Sequence, residues 1–133
     1  NKIVFTNGVF DIFHAGHADM INKAKEMGDI LIVGINNDAS VKMNKGNTRP
    51  INSLKQRIEV ISSIQSVDYI VTFSKKNPFD LIKLIKPDIL VKGDDYKKSE
   101  IIGGEFVKKF GGKVKIIKFK FNISSTKIIK RYG

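Results

Sequence analysis

The chain has 133 residues, 41% of them hydrophobic, enough for one compact domain over residues 1–133 with a core of its own. No apolar run approaches the roughly 20 residues of a membrane helix, the N-terminus lacks a signal-peptide pattern, and the absence of cysteine removes disulfides and thiolate metal sites. Lys and Arg outnumber Asp and Glu by 24 to 13, a formal charge of +11 that attracts nucleotides, sugar phosphates or nucleic acid. Only Arg49, Arg57 and Arg131 are arginines, and a lysine-heavy excess is equally the mark of a solvated surface. A cysteine-free chain fits the cytoplasm, and Asn1 in first place fits trimming, processing or origin in a longer chain.

Strand and helix patterns alternate along the chain. Lys2 to Thr6 reads as a buried strand, and His17 to Met27 as a helix with Ile21, Ala24 and Met27 on one stripe and Gly28 as its stop. Ile30 to Ile35 is a continuous apolar run, the pattern of a strand covered on both faces. Asp38 to Met43 suits a short helix, and the polar stretch Asn44 to Asn52, with Gly46 and Pro50, a loop. Ser53 and Gln56 form a capping box for a helix reaching about Ile64, with Leu54, Ile58 and Ile61 facing the core. Tyr69 to Phe73 is a third strand. Pro78 opens a helix carrying Leu81, Leu84 and Ile85, which Pro87 ends. Ile89 to Val91 is a fourth strand, running into Lys92-Gly93-Asp94-Asp95-Tyr96. Glu100 to Phe110 is a helix stopped by Gly111-Gly112, Val114 to Phe119 a fifth strand, and Ser124 or Ser125 caps a last helix through Tyr132. This order predicts an α/β fold, a single doubly wound parallel sheet with right-handed crossovers and helices on both faces. Such sheets bind ligands at the carboxyl ends of their strands, where Thr6 to His17, Asn36 to Arg49, Gly93 to Tyr96 and Asn122 to Thr126 all fall.

Both histidines of the chain lie in His14-Ala15-Gly16-His17, between the first strand and the first helix. The first N–H groups of a helix have no intrahelical partner and carry partial positive charge, so strand, glycine turn and helix start together make an anion site. Two imidazoles there add donors where a phosphate gains charge. The competing readings are two surface histidines on a connection, or a metal pair with Asp11 as its third ligand; no other histidine and no cysteine exists to complete a metal set.

The stretch Thr6-Asn7-Gly8-Val9-Phe10-Asp11-Ile12-Phe13-His14-Ala15-Gly16-His17 resembles the signature of the HxGH nucleotidyltransferases, the cytidylyltransferase-like family. Ile123-Ser124-Ser125-Thr126 is similar to the family's second motif before its final helix. Asn37 to Val41, Arg49-Pro50-Ile51-Asn52 and Leu90 to Tyr96 make the wider pattern most similar to the adenylyltransferases of ADP-heptose synthesis, which act on D-glycero-β-D-manno-heptose 1-phosphate. The resemblance implies that His14, His17 and Lys45 are catalytic. It implies nucleotide binding by Thr6, Gly8, Val9, Phe10, Asp11, Gly16, Arg57, Lys92, Gly93, Asp95, Ser124, Ser125 and Thr126. Gly8 and Gly16 would let the backbone approach the nucleotide, and Asp95 would accept from the ribose hydroxyls. Lys42 and Arg49 would bind phosphate.

It further implies ATP and a sugar 1-phosphate as substrates, Mg²⁺ carried mostly by substrate oxygens and water, a homodimer, fusion or coupling to a sugar kinase, and no nucleic-acid or membrane partner. Against these stand plainer readings: Lys42 and Lys45 as solvated lysines, Arg57 as a helix-surface arginine, Gly93 to Tyr96 as a turn, and Ser124 to Thr126 as a cap. Where the glycerol-3-phosphate cytidylyltransferases carry an arginine shortly before the second motif, this chain has Phe119 between Lys118 and Lys120. Those cytidylyltransferases, or other enzymes of the same fold, are one alternative. A basic nucleic-acid-binding module is the other, and the chain lacks the aromatic-rich basic face of such modules.

Overall fold

The continuous apolar runs become parallel strands, because a segment buried on both faces has to be covered by a helix on each side. The computed structural model describes residues 1–94, 97, 100–118 and 129. Its strands are β1 (Ile3–Gly8), β2 (Ile30–Asn36), β3 (Tyr69–Phe73), β4 (Ile89–Gly93) and β5 (Lys113–Ile117), alternating with α1 (Ala15–Glu26), α2 (Asp38–Lys45), α3 (Leu54–Ser62), α4 (Phe79–Ile85) and α5 (Gly104–Lys109). All pairings are parallel and the order is β3-β2-β1-β4-β5, as expected of a doubly wound, Rossmann-like sheet. Val4 and Phe5 are neighbours in β1 yet fall in different core clusters. Val4 packs with Ile21, Ala24 and Ile61 of α1 and α3, Phe5 with Ile82 and Val107 of α4 and α5.

One seam of the sheet positions the site. β1 and β4 pair only at Val4–Ile89 and Phe5–Leu90. By contrast, β1 keeps register with β2 out to Gly8–Ile35, and β4 with β5 out to Gly93–Ile117. Beyond Phe5 the ladder between β1 and β4 is replaced by side chains: the Thr6 hydroxyl donates to the Val91 carbonyl at 2.9 Å, and Lys92 Nζ to the Asn7 carbonyl at 3.1 Å. The chain leaves β1 for a helix on one face and β4 for a helix on the other, so this gap is the topological switch point where doubly wound sheets take ligands.

Several boundaries move for local reasons. The first helix begins at Ala15 rather than His17, because His14 is its N-cap. The Ser53–Gln56 capping box forms as expected. The fifth helix starts at Gly104 rather than Glu100, since Gly103 sits at φ 84, outside helical space. Leu84 does not join the core: it is 83% exposed, and Ile82 is the buried residue of α4. Among the described residues no helix is long and apolar enough to cross a membrane. Asp95, Tyr96, Phe119, the Ser124-Ser125-Thr126 motif and the expected last helix lie outside the described residues.

Candidate active site

His14 is the N-cap of α1, and its Nδ1 accepts from the Gly16 N–H at 3.1 Å. His17, three residues on, accepts from the His14 N–H through its own Nδ1 at 3.3 Å. A capping box is usually built from hydroxyls, carboxylates and amides; here two imidazoles fill it. An imidazole nitrogen that accepts carries no proton, so in each neutral ring the proton sits on Nε2. The rings stack with centroids 3.8 Å apart and planes 21° from parallel, which sets the two donors side by side at the helix start. The first turn of α1 holds no acidic residue to offset its positive end. Among the described residues His14 Nε2 is buried without a partner, and such a group costs roughly 1–3 kcal/mol.

Burial keeps the pair neutral. It lowers the His14 pKa from its ordinary value. Burial, and then repulsion from His14, bring His17 from 6.5 down to about 3. The unfolded chain takes up protons near pH 6.5 that the folded chain refuses, so stability is fully present above about 6.5 and declines as pH falls from there towards 3. For His17 the slope approaches about 1.4 kcal/mol per pH unit. Asp11, Asp68 and Asp80 are all lowered by their partners, so they add little loss above pH 5. Urea midpoints at pH 7.5, 6.5 and 5.5 should therefore fall progressively. The double variant His14→Asn/His17→Gln, which has nothing to titrate there, should give a flat profile; a flat profile in the unmodified protein would refute the neutral pair.

The turn that leads to the histidines is clamped from two sides. Phe10 is a non-glycine residue at φ 52, a left-handed conformation that costs on the order of 1–3 kcal/mol and survives only where its surroundings impose it. On one flank the Val9 carbonyl accepts from Arg57 Nη1 at 3.0 Å. On the other, the Asp11 carboxylate accepts from Arg49 Nε at 2.8 Å and from the Ile51 and Asn52 N–H groups at 2.9 and 2.8 Å. Asn52 Nδ2 also donates to the Asp11 carbonyl. Burial alone would raise the Asp11 pKa, but these bonds outweigh it and hold the carboxyl below its usual range. The Phe10 ring is buried and meets His17 edge-on, at 5.1 Å and 74°, while Phe13 packs on the same imidazole at 5.4 Å.

Three of the residues expected on the nucleotide have their side chains engaged inside the protein. Thr6, Asp11 and Arg57 were expected on the nucleotide, yet they are 0%, 1% and 1% exposed. The Thr6 hydroxyl bridges the seam. Both Asp11 oxygens hold the 49–52 loop. The Arg57 guanidinium is taken up by the carbonyls of Val9, Asn36 and Asn52 and by Asp38 Oδ1 at 2.7 Å. Gly8 also has a nearer reason than ligand approach: a Cβ there would meet the Phe10 ring at 3.0 Å.

Comparison with known proteins fits this geometry. The model of the cytidylyltransferase-like family matches residues 5–131. The chain belongs to that family. As a member it is a nucleotidyltransferase. It is 51% identical over 130 residues to the bifunctional protein HldE of Nitratiruptor sp. and 53% identical to that of Helicobacter pylori; 98% of the chain is covered, but only 27% of either relative. The chain thus spans about a quarter of the length of the curated relatives it matches. A lipopolysaccharide core biosynthesis protein from Thermoplasma volcanium superposes with a TM-score of 0.73 at 30% identity, over 92% of this chain and 98% of that one. A pantoate-β-alanine ligase from Francisella tularensis, with a TM-score of 0.66 at 23% identity over 96% of this chain and 67% of that one, shares the fold.

Within the cytidylyltransferase-like domain, the other expected residues divide by position. Gly16 is buried at the start of α1, and Gly93 is buried at the end of β4. Lys92 is half-buried in the seam. Arg49 is largely buried and anchored on Asp11. Lys42 and Lys45 are exposed in the last turn of α2, and no contact among the described residues brings them to the histidines. Two residues escaped the sequence reading. Asn52 ties the 49–52 loop to Asp11 and Arg57, and Asn7, the residue before Gly8, carries a buried Oδ1 without a partner among the described residues. Only its place inside the first motif could have drawn attention to Asn7.

Proposed function

We propose that this domain transfers AMP from ATP to D-glycero-β-D-manno-heptose 1-phosphate, giving ADP-heptose for lipopolysaccharide or another glycan. The observation that carries the reading is the pair of neutral imidazoles, both keeping Nε2–H, at the start of the helix that follows β1. The likeness to the HldE proteins and to a lipopolysaccharide core biosynthesis protein supports the heptose acceptor. In the reaction a phosphate oxygen of the sugar 1-phosphate attacks the α-phosphorus of ATP, the bond to the bridging oxygen breaks, and pyrophosphate leaves. No protein nucleophile and no proton transfer is needed, so the work is positioning and charge stabilisation.

His14 and His17 donate to the triphosphate and to the five-coordinate phosphorus. Neutral imidazoles serve as such electrophiles without giving up a proton. The α1 N–H groups add their positive end, and Lys92, Lys42, Lys45 and Arg49 supply positive charge towards the phosphates. Backbone at Val9, Gly16 and Gly93 borders the nucleotide, Phe10 lines it, Asp95 accepts from the ribose, and Ser124, Ser125 and Thr126 hold the outer phosphates. Mg²⁺, carried mostly by phosphate oxygens and water, would neutralise the triphosphate. The remaining length of the HldE proteins, which are named bifunctional, suits a sugar kinase that supplies the acceptor. ATP and sugar phosphates place the reaction in the cytoplasm, on a homodimer with no nucleic-acid partner.

A pyrophosphate-release assay crossing ATP, CTP, GTP and UTP with heptose 1-phosphate, mannose 1-phosphate and glycerol 3-phosphate tests this. ATP with heptose 1-phosphate should exceed every other pair by at least about tenfold in kcat/KM, a difference of about 1.4 kcal/mol. Preference for CTP with glycerol 3-phosphate would move the chain to the polyol-phosphate branch.

A further inference from the structure

Arg57 is the most thoroughly engaged buried side chain near the site, and none of its partners is positioned to react. Its Nε donates to the Asn52 carbonyl at 3.1 Å. Its Nη1 donates to the Val9 carbonyl at 3.0 Å and the Asn36 carbonyl at 2.7 Å, and its Nη2 to Asp38 Oδ1 at 2.7 Å. One guanidinium in α3 therefore joins the ends of β1 and β2, the first turn of α2 and the 49–52 loop. It also grips the left-handed Phe10 on both flanks: Val9 directly, and Asp11 through Asn52, whose N–H and side-chain amide both reach Asp11. The Phe10 ring has little freedom of its own. It lies against the Cα of Gly8, where even a methyl would meet it at 3.0 Å, it belongs to the buried core cluster, and it meets His17 edge-on.

We propose that Arg57 is a positioning residue for the histidine pair. It holds the 9–11 turn in the left-handed form that presses the Phe10 ring against His17, and so fixes the imidazole with Nδ1 on the helix cap and Nε2 towards the phosphates. Planarity is what suits arginine to this task. Its acceptors lie in separate directions around a rigid fork, whereas a lysine gathers its donors at a single point and cannot span them. The kinetic consequence rests on the nucleotidyl-transfer reading; the effect on the imidazole does not.

Arg57→Lys and Phe10→Leu test the coupling from its two ends. Imidazole ¹⁵N spectra of the unmodified protein should show His17 with a bare Nδ1 and a protonated Nε2, without titration down to about pH 5, as its depressed pKa requires. In each variant His17 should show mixed tautomers, with a protonation midpoint more than one unit higher. With ATP and heptose 1-phosphate, kcat should fall about 10- to 100-fold in both variants, the scale of a small misplacement at a reacting centre, with KM for ATP within threefold in Arg57→Lys. The double variant should be no slower than the slower single one, because both act through the same ring.

A drop in kcat with unchanged His17 spectra, or a large rise in KM alone, would overturn the proposal and return Arg57 to substrate contact or plain structural support. If Arg57→Lys does not fold, Phe10→Leu, which leaves the guanidinium and all its partners in place, must still move the His17 spectrum; an unmoved spectrum refutes the coupling. Absence of AMP transfer in the unmodified protein would fault the reaction assigned above, and the spectra would still decide the role of Arg57.

Discussion

Replacing His14 by Asn, or His17 by Gln, should slow nucleotidyl transfer by about 100-fold or more, with melting temperature close to that of the unmodified protein. Removal of a preorganised donor to a developing oxyanion costs about 3 kcal/mol of transition-state stabilisation, and each change removes one Nε2–H. The cap is spared because each new side chain keeps an oxygen where Nδ1 now accepts: Asn at an N-cap and Gln three residues on are among the favoured capping residues. Alanine at either position is a poorer experiment, since it removes the donor and the cap together. His14→Ala should add a loss of about 1 kcal/mol in stability. Steady-state kinetics beside thermal unfolding separate the two losses. Turnover within threefold of the unmodified protein for both cap-preserving variants would sink the catalytic assignment.

The largest effect on stability is expected at Asp11. Asp11→Ala leaves the Arg49 guanidinium, whose side chain is 9% exposed, without its counter-charge. It also frees the Ile51 and Asn52 N–H groups from their acceptor. Breaking a buried pair from one side typically costs about 3–5 kcal/mol, a large share of the 5–15 kcal/mol that ordinarily holds a domain folded. The urea midpoint should drop accordingly. The double change Asp11→Ala/Arg49→Met should recover part of the loss, because the stranded charge is gone while the two N–H groups stay unpaired. A cost under about 1 kcal/mol for the single change would mean that the 49–52 loop is held by other means.

The sheet was legible because its signals are local. Ile30 to Ile35 is apolar without interruption, as only a doubly covered strand can be, and Ser53 with Gln56 marks a helix start that the structure reproduces. The histidine turn was legible for the same reason: strand, turn and helix start follow one another within a dozen residues. Where local reasoning missed, the deciding contact is distant in the chain. Leu84 lies in the helix region expected of it, and that α4 meets the sheet through Ile82 instead is set by packing. Gly103 ends the pattern that seemed to begin a helix at Glu100 through a backbone angle, which residue spacing does not encode.

The division is sharpest around the site itself. Residue types and spacing were sufficient to state a parallel α/β domain with a pair of histidines at the start of its first helix, since propensity, capping and periodicity act over a few residues. The partners of Thr6, Asp11 and Arg57 lie up to 85 residues away. A buried polar group has to find an acceptor or donor wherever the fold brings one, so it was tertiary packing that made the side chains of these three an internal frame for the turn. Packing also chose the imidazole tautomers. Nothing in the run His14 to His17 says which nitrogen carries the proton; the backbone N–H groups of the folded helix start take Nδ1 and leave the proton on Nε2.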